Sequence, residues 1–139
     1  MKNISVVEQE NNFLPAGKYY VGDLCYLLPD RIYKQYVCEG NNEEAVVKIT
    51  APRRPPFLAF YNYTAHGDGV YRDNFKNRYG VDAGLIGIVQ LTSESLLKNA
   101  LTIERQKHGK VIDFPQPFEV AASDGLFEFG YIRINTDNE

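Results

Sequence analysis

Residues 57–65 read FLAFYNYTA, and apolar side chains occupy both parities of that run. Phe57, Ala59, Tyr61 and Tyr63 fall on one face, and Leu58, Phe60, Asn62 and Thr64 on the other. Alternate residues of a strand point to opposite faces, so apolar groups on both sides predict an interior strand covered twice. Gly67-Asp68-Gly69 follows and tolerates the positive φ angles of a tight turn, which predicts a hairpin returning through 70–72. A polar turn at 74–77 leads to a further strand at 78–82. The apolar run 83–89 then carries Gly84 and Gly87, and glycines in such a run predict a close backbone approach or a bulge.

The rest of the chain is punctuated in the same way. Residues 18–21 read as a strand between the Pro15-Ala16-Gly17 and Gly22-Asp23 breaks, and 24–28 (LCYLL) as an apolar run of strand length. Pro29-Asp30 opens a short helix in which Asp30 is placed to cap and Ile32, Tyr33, Tyr36 and Val37 form the apolar stripe. Residues 45–50 are β-branched and read as a strand, while 52–56 (PRRPP) read as a stiff extended connector. A second helix over 93–101 has Ser93 as cap and Leu96, Leu97, Ala100 and Leu101 as its stripe. A strand at 111–114 precedes a closing meander of 118–122, an Asp124-Gly125 turn, 126–129 and 131–135.

Roughly eight short strands and two short helices predict a mainly β protein. The expected architecture is a single domain over 1–139: a twisted antiparallel sheet, rolled as a barrel or a two-sheet sandwich, with two short peripheral helices. The ends, 1–12 and 136–139, are expected to be flexible, with 1–12 either a frayed arm or an edge strand.

Composition sharpens this picture in three places. Ten Tyr and eight Phe with no Trp favour half-buried pleated surfaces. A net charge of −3 with scattered basic residues argues against a partner such as long nucleic acid, but leaves room for a small anion held by two or three donors. Cys25 and Cys38 lack the spacing of a zinc site, no apolar leader opens the chain, and no run is long enough to span a membrane. Those features give the expectation of a cytoplasmic protein with reduced thiols, no cofactor and no membrane association.

Three segments carry a family resemblance: Gly22-Asp23-Leu24-Cys25-Tyr26, Gly67-Asp68-Gly69, and 79–89 (YGVDAGLIGIV). With them the chain resembles small β-rich proteins of bacteria and their phages that carry a GDxCY segment early and a GDG…VDAGxIG segment later. Leu24 stands where that pattern has proline. The resemblance implies a bacterial or phage setting and transfers no catalytic residue.

The chemistry concentrates in the same middle third. His66 and Asp68, with Asp73 and Asp82 beyond, have the donor types for a divalent cation or for a base and its orienting carboxylate. Asp-Gly is equally a turn pair chosen for its backbone, and turn chemistry is the reading preferred over a metal or a catalytic pair. Cys25 as a nucleophile would need a base or a cation beside it, whereas its leucine neighbours favour a buried, inert thiol. Tyr61, Tyr63, Tyr71 and Tyr79 are candidates to stack on a ligand, with Arg78, Arg72 or the Arg53-Arg54 pair to hold a phosphate. The expected site is therefore Tyr61, Tyr63, His66, Asp68, Tyr71, Arg78, Tyr79 and Asp82, serving a non-catalytic module that sequesters a small polar or nucleotide-like ligand. The alternatives are a protein–protein inhibitor or immunity-type protein acting on a host protein, and a small hydrolase using His66 and Asp68. A homo-oligomer is compatible with each.

Overall fold

The computed structural model describes residues 3–137. Twelve strands and two helices follow in order along them. The first half contains β1 (Ser5–Glu8), β2 (Phe13–Leu14), β3 (Gly17–Gly22), α1 (Asp30–Tyr33, continued by a π turn over Lys34–Cys38), β4 (Val47–Thr50) and β5 (Phe57–Tyr63). The second half contains β6 (Gly69–Arg72), β7 (Arg78–Val81), β8 (Leu85–Gln90), α2 (Glu94–Arg105), β9 (Gly109–Phe114), β10 (Phe118–Ser123), β11 (Leu126–Phe129) and β12 (Ile132–Asn135).

A six-stranded antiparallel sheet in the order β1-β4-β5-β8-β3-β9 is the centre of the molecule. A four-stranded antiparallel sheet, β12-β11-β10-β2, covers one of its faces, and β6 and β7 form a separate two-stranded hairpin. On the other face, Tyr20, Phe57, Ala59, Tyr61 and Val89 pack with Ile32, Tyr36 and Val37 of α1 and its π turn, and with Leu96, Ala100 and Ile103 of α2. On the sheet-to-sheet side, Tyr19, Val21, Phe60, Ile86 and Ile88 meet Val120, Phe127, Phe129, Ile132 and Ile134. The central sheet is thus buried twice, which is why its strands read as continuous apolar runs. Each fully buried large side chain contributes about 1.5–3 kcal/mol of transfer free energy.

The protein is mainly β with antiparallel sheets and two short helices, and among the described residues no sheet closes into a barrel. The closing meander forms as its pattern predicts. Asp124 (φ 53) and Gly125 (φ 84) both take the positive angles of a two-residue hairpin turn. The helix at 93–101 also forms, with the Ser93 hydroxyl accepting from the Leu96 amide at 3.2 Å, but it runs on to Arg105. Gly87 has the expected close neighbour: a Cβ there would lie 2.6 Å from the Phe60 carbonyl oxygen.

Four local expectations fail. β5 does not form a hairpin with β6, because β4 and β8 already occupy both its edges. The Thr64 amide instead bonds to the Gly84 carbonyl at 3.0 Å, so β5 and β8 are the hairpin and β6–β7 is a flap inserted in its connection. Leu24–Tyr26 is a 3-10 turn rather than strand, started by the Asp23 carboxylate accepting from the Cys25 amide. Leu24, Leu27 and Leu28 are buried at a helical i, i+3, i+4 spacing that an apolar run conceals. Asp30 is the first residue of α1, not its cap, and Arg53 at φ 65 turns the connector that was expected to be extended. Of the two ends, residues 5–8 pair with β4 as an edge strand and Thr136 is buried, bonding through its hydroxyl to Gly125. Residues 1–2 and 138–139 of those expected flexible ends lie outside the described residues.

Candidate functional site

The site is built at the end of the central sheet where β3 finishes. Gly22 has φ 153, and a Cβ on it would lie 2.6 Å from the Tyr20 hydroxyl and 3.1 Å from the Gly109 Cα, so no other residue fits. Asp23 follows with 0% exposure. Its Oδ1 accepts from the Cys25 amide at 3.0 Å, and its Oδ2 accepts from the Asp82 and Ala83 amides at 2.8 and 2.6 Å. Amide donors on a carboxylate make short, charge-assisted bonds. This one side chain ties the 3-10 turn to the corner between β7 and β8.

That tie puts Tyr26 beside Asp82, and its hydroxyl donates to the Asp82 carboxylate at 2.7 Å. The Tyr26 ring stacks on His108, with centroids 4.7 Å apart and planes 12° from parallel. His108 arrives from the end of α2. There the Lys107 amide bonds to the Glu104 carbonyl and the His108 amide to the Ile103 carbonyl, the paired closure of a Schellman motif. Lys107 occupies its left-handed position with φ 65, where glycine is the usual residue. Gly80 on β7 makes room for the imidazole, since a Cβ there would lie 2.7 Å from His108 Nδ1.

Between the flap and the end of α2 lies a cleft of about 500 Å³. Tyr26, Asp68, Arg78, Asp82, Lys107 and His108 line it. A second cleft, about 650 Å³, lies against the other side of the flap and is lined by His66, Asp68, Tyr71, Arg72 and Asn135. Asp68, Gly69 and Val70 belong to both walls, so the first turn of the flap forms the ridge between them.

Burial and the facing charges set the protonation of this corner. The Cys25 thiol is pushed up to about 12, by burial first and then by the Asp23 and Asp82 carboxylates. The Tyr26 hydroxyl is also raised, by burial and by its bond to Asp82. At neutral pH both stay protonated, and Cys25 does not present a thiolate for attack. What this corner offers a ligand is a stacked aromatic pair, two cations and two carboxylates.

No family model, curated protein or solved structure matches this chain. The segments that carry the sequence resemblance nevertheless meet in space. Asp23 bonds to Asp82 and Ala83, and the Thr64 hydroxyl bonds to the Gly67 carbonyl while its amide reaches Gly84.

Of the residues expected at the site, Asp68, Arg78 and Asp82 line the first cleft, and His66, Asp68 and Tyr71 the second. Tyr71 is spent in part within the flap, where its hydroxyl bonds to the Gly67 carbonyl at 2.8 Å. Tyr61 and Tyr79 are each 0% exposed, one in each core, and line neither cleft. Tyr79 donates to Asp73 at 2.7 Å, and Asp73 also accepts from the Phe75 and Asn77 amides of the flap turn, so Asp73 is committed to that turn. Tyr63, at the end of β5, is half exposed and packs edge-on against Tyr61 rather than on a cleft. His66 lies 3.5 Å from Asp137. Among the described residues no group of three or more His, Cys, Asp or Glu is arranged to hold a metal ion, and no helix is long and apolar enough to cross a membrane.

Tyr26, Lys107 and His108 were not singled out for the ligand site by the sequence pattern. Tyr26 belongs to the GDxCY segment. His108 sits before Gly109, whose Cβ would meet the Tyr20 ring at 2.6 Å. Neither local signal says that the two rings stack across 82 positions of chain.

Proposed function

We propose that the protein is a non-catalytic binding module for a small, polar, nucleotide-like ligand, seated in the cleft between the flap and the end of α2. The observation that carries this reading is the joining of a Tyr26–His108 stack with Arg78 and Lys107 in one hollow of about 500 Å³. That volume is in the range of small-molecule sites. A heterocycle laid against the aromatic pair gains stacking energy, and the two cations suit an attached phosphate. Asp68 and Asp82 are acceptors for ring N–H or sugar hydroxyl groups. The protonated Cys25 favours binding over covalent chemistry. In the phage or bacterial setting that the sequence resemblance implies, such a module sequesters a host messenger.

A thermal-shift series with mono-, di- and cyclic nucleotides tests it. A ligand at about 100 times its dissociation constant adds roughly 2.7 kcal/mol, which raises the midpoint of a domain this size by about 5–10 °C. His108→Ala and Arg78→Ala should each abolish most of that shift. Retention of the full shift in both variants removes the site assignment.

The second reading, a protein partner, is favoured by a different surface. Phe75 and Tyr131 are 58% and 52% exposed and pack edge-on at 5.9 Å, joining the flap turn to the turn between β11 and β12. Exposed aromatic clusters mark protein interfaces. Pull-down of one host protein that is lost in a Phe75→Ser, Tyr131→Ser variant, with no nucleotide shift in the parent chain, moves the function there.

A further inference from the structure

The connector between β4 and β5 places Arg53 and Arg54 across from α1, which carries Arg31. All three line a separate cleft of about 400 Å³ that shares no lining residue with the flap clefts. Its apolar wall includes Ile4, Ile32 and Ala51, of which Ile32 and Ala51 are buried. Among the described lining residues Asp30 is the one carboxylate, so three guanidinium charges stand against one carboxylate, an excess of two positive charges. Among the described residues none of the three arginine side chains makes a hydrogen bond or an ion pair. Arg53 is moreover held at φ 65, a left-handed angle that glycine takes more easily. Like charges gathered around a hollow repel one another, and an anion placed among them relieves that repulsion.

We infer that the Arg31–Arg53–Arg54 cleft binds a phosphomonoester carried on a compact apolar body such as a single aromatic ring. A phosphomonoester carries about −1.5 to −2 charges near pH 7, which matches the excess of the wall better than a carboxylate does. Guanidinium forks pair with phosphate oxygens in a two-bond geometry, and the cleft is of a size for one ring against its apolar wall.

Phenyl phosphate is the probe, titrated into the full chain by calorimetry and followed by two-dimensional NMR of the arginine side-chain N–H groups. Saturable binding of one equivalent, with the Arg31, Arg53 and Arg54 signals moving together, is expected. Inorganic phosphate and benzyl alcohol each carry half of the chemistry and should bind at least about tenfold more weakly. Arg53→Gly removes the charge while keeping a residue suited to φ 65, and Arg31→Gln tests the opposite wall. Each should weaken phenyl phosphate about tenfold or more with an unchanged thermal midpoint or a raised one. His108→Ala should bind it normally, which separates this site from the nucleotide cleft. No saturable binding at millimolar phenyl phosphate overturns the inference. So does undiminished binding in both arginine variants, or loss of binding in His108→Ala.

Discussion

Asp23 is the side chain whose removal should reveal most about how the site is held. Its carboxylate is fully buried and receives three backbone amides, from Cys25, Asp82 and Ala83, at 3.0, 2.8 and 2.6 Å. In Asp23→Ala those amides lose their acceptor in a place with little access for water. Each buried donor left unsatisfied costs about 1–3 kcal/mol, so the sum is roughly 3–6 kcal/mol once partial relaxation of the corner is allowed. A domain of this size has a total stability of about 5–15 kcal/mol, so the variant sits close to unfolding. Asp23→Asn is the finer probe. Its single oxygen keeps either the Cys25 bond or the Asp82 and Ala83 pair, and its amino group must then face a backbone N–H. The expected cost is about 2–3 kcal/mol, which lowers the thermal midpoint by roughly 6–15 °C. Equilibrium urea unfolding of both variants, with amide exchange at Asp82 and Ala83, measures the effect. A loss below about 1 kcal/mol in Asp23→Ala, with the exchange of those two amides unchanged, would refute the claim that this carboxylate ties the 3-10 turn to the β7–β8 corner.

Four further perturbations follow from the same structure. Lys107→Gly relieves a left-handed angle and should raise stability by about 0.5–1 kcal/mol in urea while weakening nucleotide binding, and a loss of stability would show that the lysine side chain supports the fold. Gly80→Ala drives a methyl group to 2.7 Å from His108 Nδ1, so the imidazole must leave Tyr26; the NMR shifts of both rings should change and binding should fall with little loss of fold. Cys25 and seven of the ten tyrosines keep their protons longer in the fold than in the unfolded chain. The folded state therefore holds more protons at high pH, and stability present below pH 9 is lost above it: between 9.0 and about 12 for Cys25, and between 10.0 and about 12 for Tyr19. Urea midpoints from pH 7 to pH 11 should fall steadily above pH 9, and a midpoint constant across that range would contradict the assignment. At pH 8 iodoacetamide should modify exposed Cys38 well before Cys25, whose thiolate fraction is depressed on the order of a thousandfold.

The elements legible in the sequence are those fixed by neighbours along the chain. The meander from Phe118 to Asn135 is one, because Asp124-Gly125 selects its own turn and the strands on either side pair with each other. Helix α2 is another, since Ser93 and the apolar stripe are local signals. The double covering of β5 was legible as well, because apolar side chains on both faces leave no side for water. The candidate site was legible only in part. Asp68 and Asp82 stand out by the density of chemical side chains in one stretch and Arg78 as a cation suited to a phosphate, and the three do share a cleft. Tyr61 and Tyr79 have the residue type of a stacking platform, but their rings are core.

What only the tertiary structure decided depends on edges and on contacts between distant segments. Whether a strand pairs with its sequence neighbour depends on whether its edges are free, and β4 and β8 had taken both edges of β5. The flap therefore left the sheet, although Gly67-Asp68-Gly69 is a sound turn signal. The same holds for Asp23, whose bonds span 59 and 60 residues to Asp82 and Ala83, and for Tyr26 and His108, which α2 and β9 bring together. A local pattern records what each segment can become. The pairing of distant segments is settled by burying the most apolar surface with every buried amide bonded, and that is a property of the whole chain at once.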